Sequence, residues 1–276
     1  MSMRLSAAAF TAASALALGA CATTAAPPSP QEAALALQLE SRSIVPATRA
    51  ERESIANQDL LTQAAFWAEA YEMNPADREA ATELARVLRL LGSTPRAIEV
   101  ARQALALFPD DSALLAAYGL ALAAEGRGQQ AIEPLTRAAQ ADPGNWRVIN
   151  ALGVSLEQAG RTPAARARFQ EAMRLAPEEP SILSNLALSH ALAGEPEQAE
   201  PLLRRAMDND LASAQVRQNL ALVLALQGRF DEAERIAMID STPEMAAANM
   251  AYIRAMITSP RRWDSLNEAA LRGSHN

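Results

Sequence analysis

"PGNWRVINALGVSLEQAGRTPAARARFQEAMRLAP", residues 143–177, decides the fold. Within it Leu152 and Leu156 stand four residues apart, which puts both on one face of a helix. Gly160 follows where that helix needs a left-handed residue to stop, a conformation glycine takes at no steric cost. Pro163 then falls in the first turn of a second helix, where a missing amide hydrogen costs little. Ala165 and Ala172 supply small side chains where two helices cross, and Pro177 stops the second helix. The stretch reads as two antiparallel helices joined by a tight turn.

The same pattern recurs on both sides at a step of 34 residues. Pro75, Pro109, Pro143 and Pro177 form one row, and Gly92, Gly126, Gly160, Gly194 and Gly228 another. Two alanine rows keep the period: Ala70, Ala104, Ala138, Ala172 and Ala206, and Ala97, Ala131, Ala165, Ala199 and Ala233. Leu84, Tyr118, Leu152, Leu186 and Leu220 share a phase with Leu88, Leu122, Leu156, His190 and Leu224 four residues on. A fixed period of this length marks a stacked repeat architecture. These rows closely resemble the tetratricopeptide repeat. The resemblance implies an all-α fold, a right-handed superhelix of antiparallel helix pairs.

Departures mark the ends of the array. Leu211 replaces the proline at the fifth step. Pro134 and Pro201 sit about five residues into second helices, where each is expected to remove a backbone hydrogen bond and bend the helix. Upstream, "NQDLLTQAAFWAEAYEMNP" (57–75) reads as a second helix with Trp67 and Ala70 in register, after a degenerate first helix in 47–56. Downstream, "PEMAAANMAYIRAMI" (243–257) reads as a closing helix with Met250, Ile253 and Ile257 on one side. A repeat array needs such caps. The repeats are thus expected over 47–240 as about five full units plus a partial one, with a capping helix at 241–258. A tail follows at 259–276, where Trp263 either packs on the last helix or meets a partner.

At the other end, Arg4 precedes an uncharged run from Leu5 to Ala20, the layout of a secretory signal peptide. The run is short for a bilayer span and is followed by small residues and prolines instead of a positive cluster. Leu18-Gly19-Ala20-Cys21 resembles the lipobox of bacterial lipoproteins, although Gly19 is a less usual residue at its place. That resemblance implies cleavage after residue 20, a lipid on Cys21, and, since Ala22 is no aspartate, sorting to the periplasmic face of an outer membrane. The other reading is an ordinary cut near Ala20 or Ala26 that leaves Cys21 incidental. Residues 21–46 read as a flexible tether, with a possible short helix in "QEAALALQLESR" (31–42).

Composition narrows the chemistry. Half of the 276 residues are apolar, enough for a sizeable core, and Cys21 is the single cysteine, so no disulfide within the chain and no paired-cysteine metal site is possible. All 25 basic residues other than the two histidines are arginines; removing Arg4 with the leader leaves 24 against 32 acids, a net charge near −8. An acidic chain of this kind is a poor partner for nucleic acid. Lysine is absent, which excludes a phosphate-loop lysine and a Schiff-base lysine. His275 lies in the tail and His190 in a packing row, and Ser189 beside His190 points in another direction on a helix. Asp110-Asp111 and Glu178-Glu179 fall in turns between repeats, where carboxylates favour the next helix N-terminus. No catalytic motif, metal site or cofactor site is expected, and an enzyme is not.

What remains is a binding surface. In tetratricopeptide proteins the ligand-facing places of the first helix are the second, fifth, ninth, twelfth and thirteenth. The ninth places here are Arg86, Leu120, Val154, Leu188 and Leu222. Around this mostly apolar strip lie Arg89, Arg147, Asn150, Glu157, Gln158, Ser184, Gln215 and Gln218. The groove therefore suits an amphipathic helix or an extended peptide with apolar anchors. Some of these leucines are alternatively contacts to a neighbouring repeat or cap. Asn185 and Asn219, at the sixth place, read as structural.

The combination of lipobox, linker, "DLLTQAAFWAEAYEMNP" (59–75), the repeats with "ALVLALQGRFDEAERIA" (221–237), and "AAANMAYIRAM" (246–256) is similar to the TadD family. These are tetratricopeptide lipoproteins of the tight-adherence (Flp pilus) assembly system. The resemblance implies a pilotin-like role with a secretin subunit or another pilus assembly protein as partner, and membrane attachment through the N-terminal lipid. A general periplasmic scaffold or chaperone lipoprotein for envelope or polysaccharide machinery is the alternative. Nothing in the residues assigns an oligomeric state.

Overall fold

The computed structural model describes residues 48–209 and 213–257. The chain divides into two units, Met1–Val45 and Pro46–Asn276, and every described residue lies in the second. The leader, Cys21, the tether, Leu211 and the tail with Trp263 lie outside the described residues.

Thirteen helices and no strand occur among the described residues. In order they are α1 (Arg49–Ile55), α2 (Leu60–Met73), α3 (Arg78–Leu90), α4 (Thr94–Leu107), α5 (Ser112–Ala124), α6 (Gly128–Ala141) and α7 (Trp146–Gln158). Then follow α8 (Thr162–Leu175), α9 (Pro180–Leu192), α10 (Pro196–Met207), α11 (Ala214–Leu226), α12 (Phe230–Ala237) and α13 (Pro243–Ile257). Each odd-numbered helix from α3 to α11 packs on the even-numbered helix that follows it and on the one before it. Odd helices also touch each other from α3 through α11, so the array stacks helix pairs.

Backbone chemistry repeats with the sequence. Gly92, Gly126, Gly160, Gly194 and Gly228 all adopt φ between 71° and 79°. At Gly160 the amide donates to Glu157 O (2.9 Å) and the next amide, Arg161 N–H, donates back to Leu156 O (2.8 Å), which satisfies the carbonyls at the end of α7. Two residues after each turn proline an acceptor caps the next helix. Asp77 accepts from Ala80 N–H, Asp111 from Ala113 and Leu114 N–H, Asn145 from Val148 N–H and Glu179 from Ser181 N–H. These are the amides a helix start leaves without intrahelical partners. Pro163 and Pro196 lie in the first turn of α8 and α10. Pro134 and Pro201 lie inside α6 and α10, and both helices continue past them.

Packing within a pair depends on one small residue per first helix. Gly119 lies against Leu135, and Gly153 against Phe169; a Cβ at either glycine would come within 2.5 Å of that side chain. Ala85, Ala187 and Ala221 hold the same place in the other repeats and are buried. The core forms two main clusters that meet at α9, where Leu186 belongs to the first and Leu183 to the second. Each fully buried leucine contributes about 1.5–3 kcal/mol from removal of apolar surface from water.

Both ends are closed. Trp67 on α2 is buried, and Arg52 on α1 stacks over its ring at 5.6 Å while pairing with Asp77 and Glu79 at the start of α3. At the far end α13 buries Ala246 and Met250 and partly buries Ile253 against α11 and α12. None of the described helices is long and apolar enough to cross a membrane.

Candidate protein-binding groove

The first helices of successive repeats present their inner residues side by side. Between α3, α5 and α7 lies a cleft of about 390 Å³ lined by Arg89, Leu120, Trp146, Arg147, Asn150 and Val154, with Ala123, Ala124, Ala151 and Ser181. Five of the sequence-derived groove residues meet here: Arg89, Leu120, Arg147, Asn150 and Val154. A second cleft of about 400 Å³ lies between α9 and α11 and contains Leu188 and Gln215, together with Ser184, Asn185 and Asn219. Ser181 lines both clefts, so they adjoin along the inner face. Gln218 and Leu222 line a third, of about 260 Å³, whose other wall is α13 through Met250, Tyr252 and Ile253. Leu222 thus faces the capping helix. Arg86 lines none of the three; it donates to Glu83 (2.7 Å) and to Gln63 Oε1 (2.8 Å), which ties α3 to α2.

Polar residues along the groove divide into those that hold repeats together and those that do not. Asn185 Nδ2 donates to Asn150 Oδ1 (3.2 Å), and Asn219 Nδ2 donates to Ser184 Oγ (2.8 Å). In both cases a sixth-place asparagine reaches the fifth place of the preceding repeat, across a separation of 35 residues. Gln215 donates in turn to Asn219 Oδ1 (3.0 Å). Gln158 donates to Ala123 O (3.0 Å), and Glu157 accepts from Ser189 Oγ and Thr162 Oγ1, both at 2.8 Å. His190 Nδ1 lies 2.7 Å from Glu195 Oε2, and Arg166 pairs with the same carboxylate at 3.0 Å. The histidine bond, with Arg166 alongside, holds the Glu195 carboxyl below the usual carboxylate range. Ser189 and His190 therefore have separate partners and form no dyad.

Arg89 and Arg147 differ from the rest. Arg89 has no carboxylate or hydrogen-bond partner among the described residues, and burial, with the Arg86 charge nearby, pushes its guanidinium below the usual range. Arg147 stacks on Trp146 at 4.3 Å and pairs with no acid among the described residues. Trp146 and Ser181 also line the cleft, beyond the groove residues expected from the sequence. Trp146 stands at the first place of its repeat, outside the ligand-facing set, and the one signal for it is its position beside Arg147.

Comparison with known proteins agrees with this architecture. The tetratricopeptide repeat family matches residues 63–112, 84–145, 150–210 and 193–245, well over half of the chain. No curated protein matches significantly. Among solved structures, a thermophilic tetratricopeptide protein of Thermus thermophilus is similar with a TM-score of 0.54 and 20% identity, over 63% of this chain and 97% of its own. MamA from Desulfovibrio magneticus RS-1 gives a TM-score of 0.49 at 19% identity, over 57% of this chain and 89% of its own. MamA MSR-1 gives 0.46 at 26% identity, over 54% and 86%. The Thermus likeness is one of fold; tetratricopeptide repeats typically scaffold protein–protein interaction. With its 34-residue period, paired helices and family match, the chain belongs to the tetratricopeptide repeat family.

Proposed function

We propose that the protein is a lipid-anchored adaptor of the TadD kind, tethered through Cys21 at the periplasmic face of an outer membrane. Its groove captures a segment of the secretin subunit, or of another Flp pilus assembly protein, and promotes its localisation or ring assembly. The observation that carries the reading is the cleft between α3, α5 and α7, where Leu120 and Val154 offer an apolar floor on a stack of rigid helix pairs. Such a floor suits apolar anchors of an extended or amphipathic segment. Support for the TadD kind comes from the lipobox at Leu18–Cys21 and from the two segments flanking the repeats, which fold as α2 and α13.

The test is the amount of heat-resistant secretin multimer in outer-membrane fractions of three strains: unaltered, lacking this protein, and carrying Cys21→Ser. Loss of multimer without the protein is expected, and the Cys21→Ser strain reads whether the anchor is needed. Equal multimer in all three strains overturns the pilotin role in favour of a general envelope scaffold.

A further inference from the structure

We infer that the cleft between α3, α5 and α7 recognises an acidic side chain within a partner segment, held by Arg89 and Arg147 beside an apolar residue on Leu120 and Val154. The inference rests on the groove reading above and specifies the chemistry of its occupant.

Three observations carry it. The first is the state of Arg89. Most arginines that approach an acid here are paired, as Arg52 is with Asp77 and Arg217 with Asp240. Arg89 is instead half-buried and, among the described residues, has no partner and is the arginine that burial pushes down. A desolvated, unneutralised guanidinium is costly to the free protein, and a carboxylate arriving in the cleft relieves that cost. The second is charge. Among the described residues no acid lines this cleft, although the chain carries 32 acids against 25 basic residues. Arg147, stacked on Trp146, is held at the rim with its donors free of any acid among the described residues, and a second planar fork suits the same carboxylate. The third is continuity. Ser181 lines this cleft and the next one, which holds Leu188. A segment lying along the face therefore runs through the arginine site, and an internal Asp or Glu fits it better than a chain end.

The arginines come from the twelfth place of one repeat and the second place of another, two repeats on. Asn150 accepts from Asn185 through its Oδ1 and carries no charge, so charge recognition falls to the guanidinium groups.

The test uses detergent-solubilised full-length protein and a pool of amidated twelve-residue peptides randomised among Leu, Ser, Gln, Glu and Lys. Retained peptides are sequenced. Glu next to Leu is expected to be enriched roughly tenfold over Gln, the discrimination of one charge-assisted contact set. Arg89→Gln with Arg147→Gln is expected to abolish the Glu preference while Leu enrichment persists. The exposed pair Arg96→Gln and Arg235→Gln is expected to change nothing. Because Arg89 is half-buried and pairs with no acid among the described residues, the double variant should melt no lower than the parent, which keeps folding out of the comparison. Equal retention of Glu and Gln by the parent, or a Glu preference that survives the double substitution, overturns the inference. If Leu enrichment persists in the first of those results, the groove reading stands without it; if no peptide is retained, both fall. A second pool, acid-free with free carboxyl ends, distinguishes sources: stronger retention of that pool assigns the arginines to a terminal carboxylate and overturns the internal acid.

Discussion

Gly153 on α7 and Phe169 on α8 fit as notch and knob, with a position for a Cβ on the glycine lying 2.5 Å from Phe169 Cε1. Phe169 is almost fully buried, so its ring has no room to retreat. Gly153→Ala is therefore expected to lower stability by about 1–3 kcal/mol through overpacking. Gly144→Ala is the control, since a Cβ there meets nothing closer than Asp142 at 3.6 Å, and it should shift the urea midpoint little. A Phe169→Leu change made together with Gly153→Ala should recover part of the loss. Equal midpoints for Gly153→Ala and the parent would mean that the two helices do not approach this closely.

The asparagine ladder between repeats gives a second expectation. Asn219 is buried and joins Ser184 and Gln215. Asn219→Ala leaves the buried Ser184 hydroxyl without this donor and should cost about 1–3 kcal/mol. Gln215→Ala, at an exposed position, should cost well under half of that. Denaturant unfolding of both variants checks the contrast, and similar losses would assign the effect to something other than the ladder.

Part of the acid sensitivity should trace to the ion pair at the first repeat. The Arg52 guanidinium, first through its hydrogen bond, holds the Asp77 carboxyl below the usual carboxylate range despite the opposing effect of burial. A carboxyl depressed in the folded state contributes stability that is present above its unfolded value, near 3.9, and is lost as pH falls through the lower folded value. Asp77→Asn keeps an acceptor for the Ala80 amide but removes the charge. The variant should therefore be less stable than the parent at pH 7, with the gap closing as pH drops below about 4. A gap independent of pH would contradict the ion-pair account.

Most of the helical architecture is legible in the sequence because each place in the repeat answers one local requirement. Gly160 must take a positive φ, Pro163 must avoid donating an amide, and Ala165 must let a neighbour approach; those needs do not depend on distant residues. The cap row Asp77, Asp111, Asn145 and Glu179 is equally local. The groove is less legible. Counting places brings Leu120, Arg147, Asn150 and Val154 to one cleft, but it also marks Leu222, which the capping helix α13 faces, and Arg86, which Glu83 and Gln63 engage. Whether an arginine is paired depends on where acids fall in three dimensions, so Arg86 and Arg89 look alike in sequence and differ in the fold. Trp146 enters the cleft from a place that the repeat pattern does not mark as ligand-facing.

If the cleft floor captures a pilus assembly segment, the secretin should co-purify with detergent-solubilised, tagged protein from the native envelope. Leu120→Asp together with Val154→Asp places two carboxylates on the floor, at half-exposed positions that tolerate polarity better than the buried core. Thermal unfolding verifies that the variant is folded. Secretin is expected to be retained by the parent and reduced at least tenfold with the variant, since two apolar anchors lose their seats. Undiminished secretin on the folded variant would contradict capture by the cleft floor.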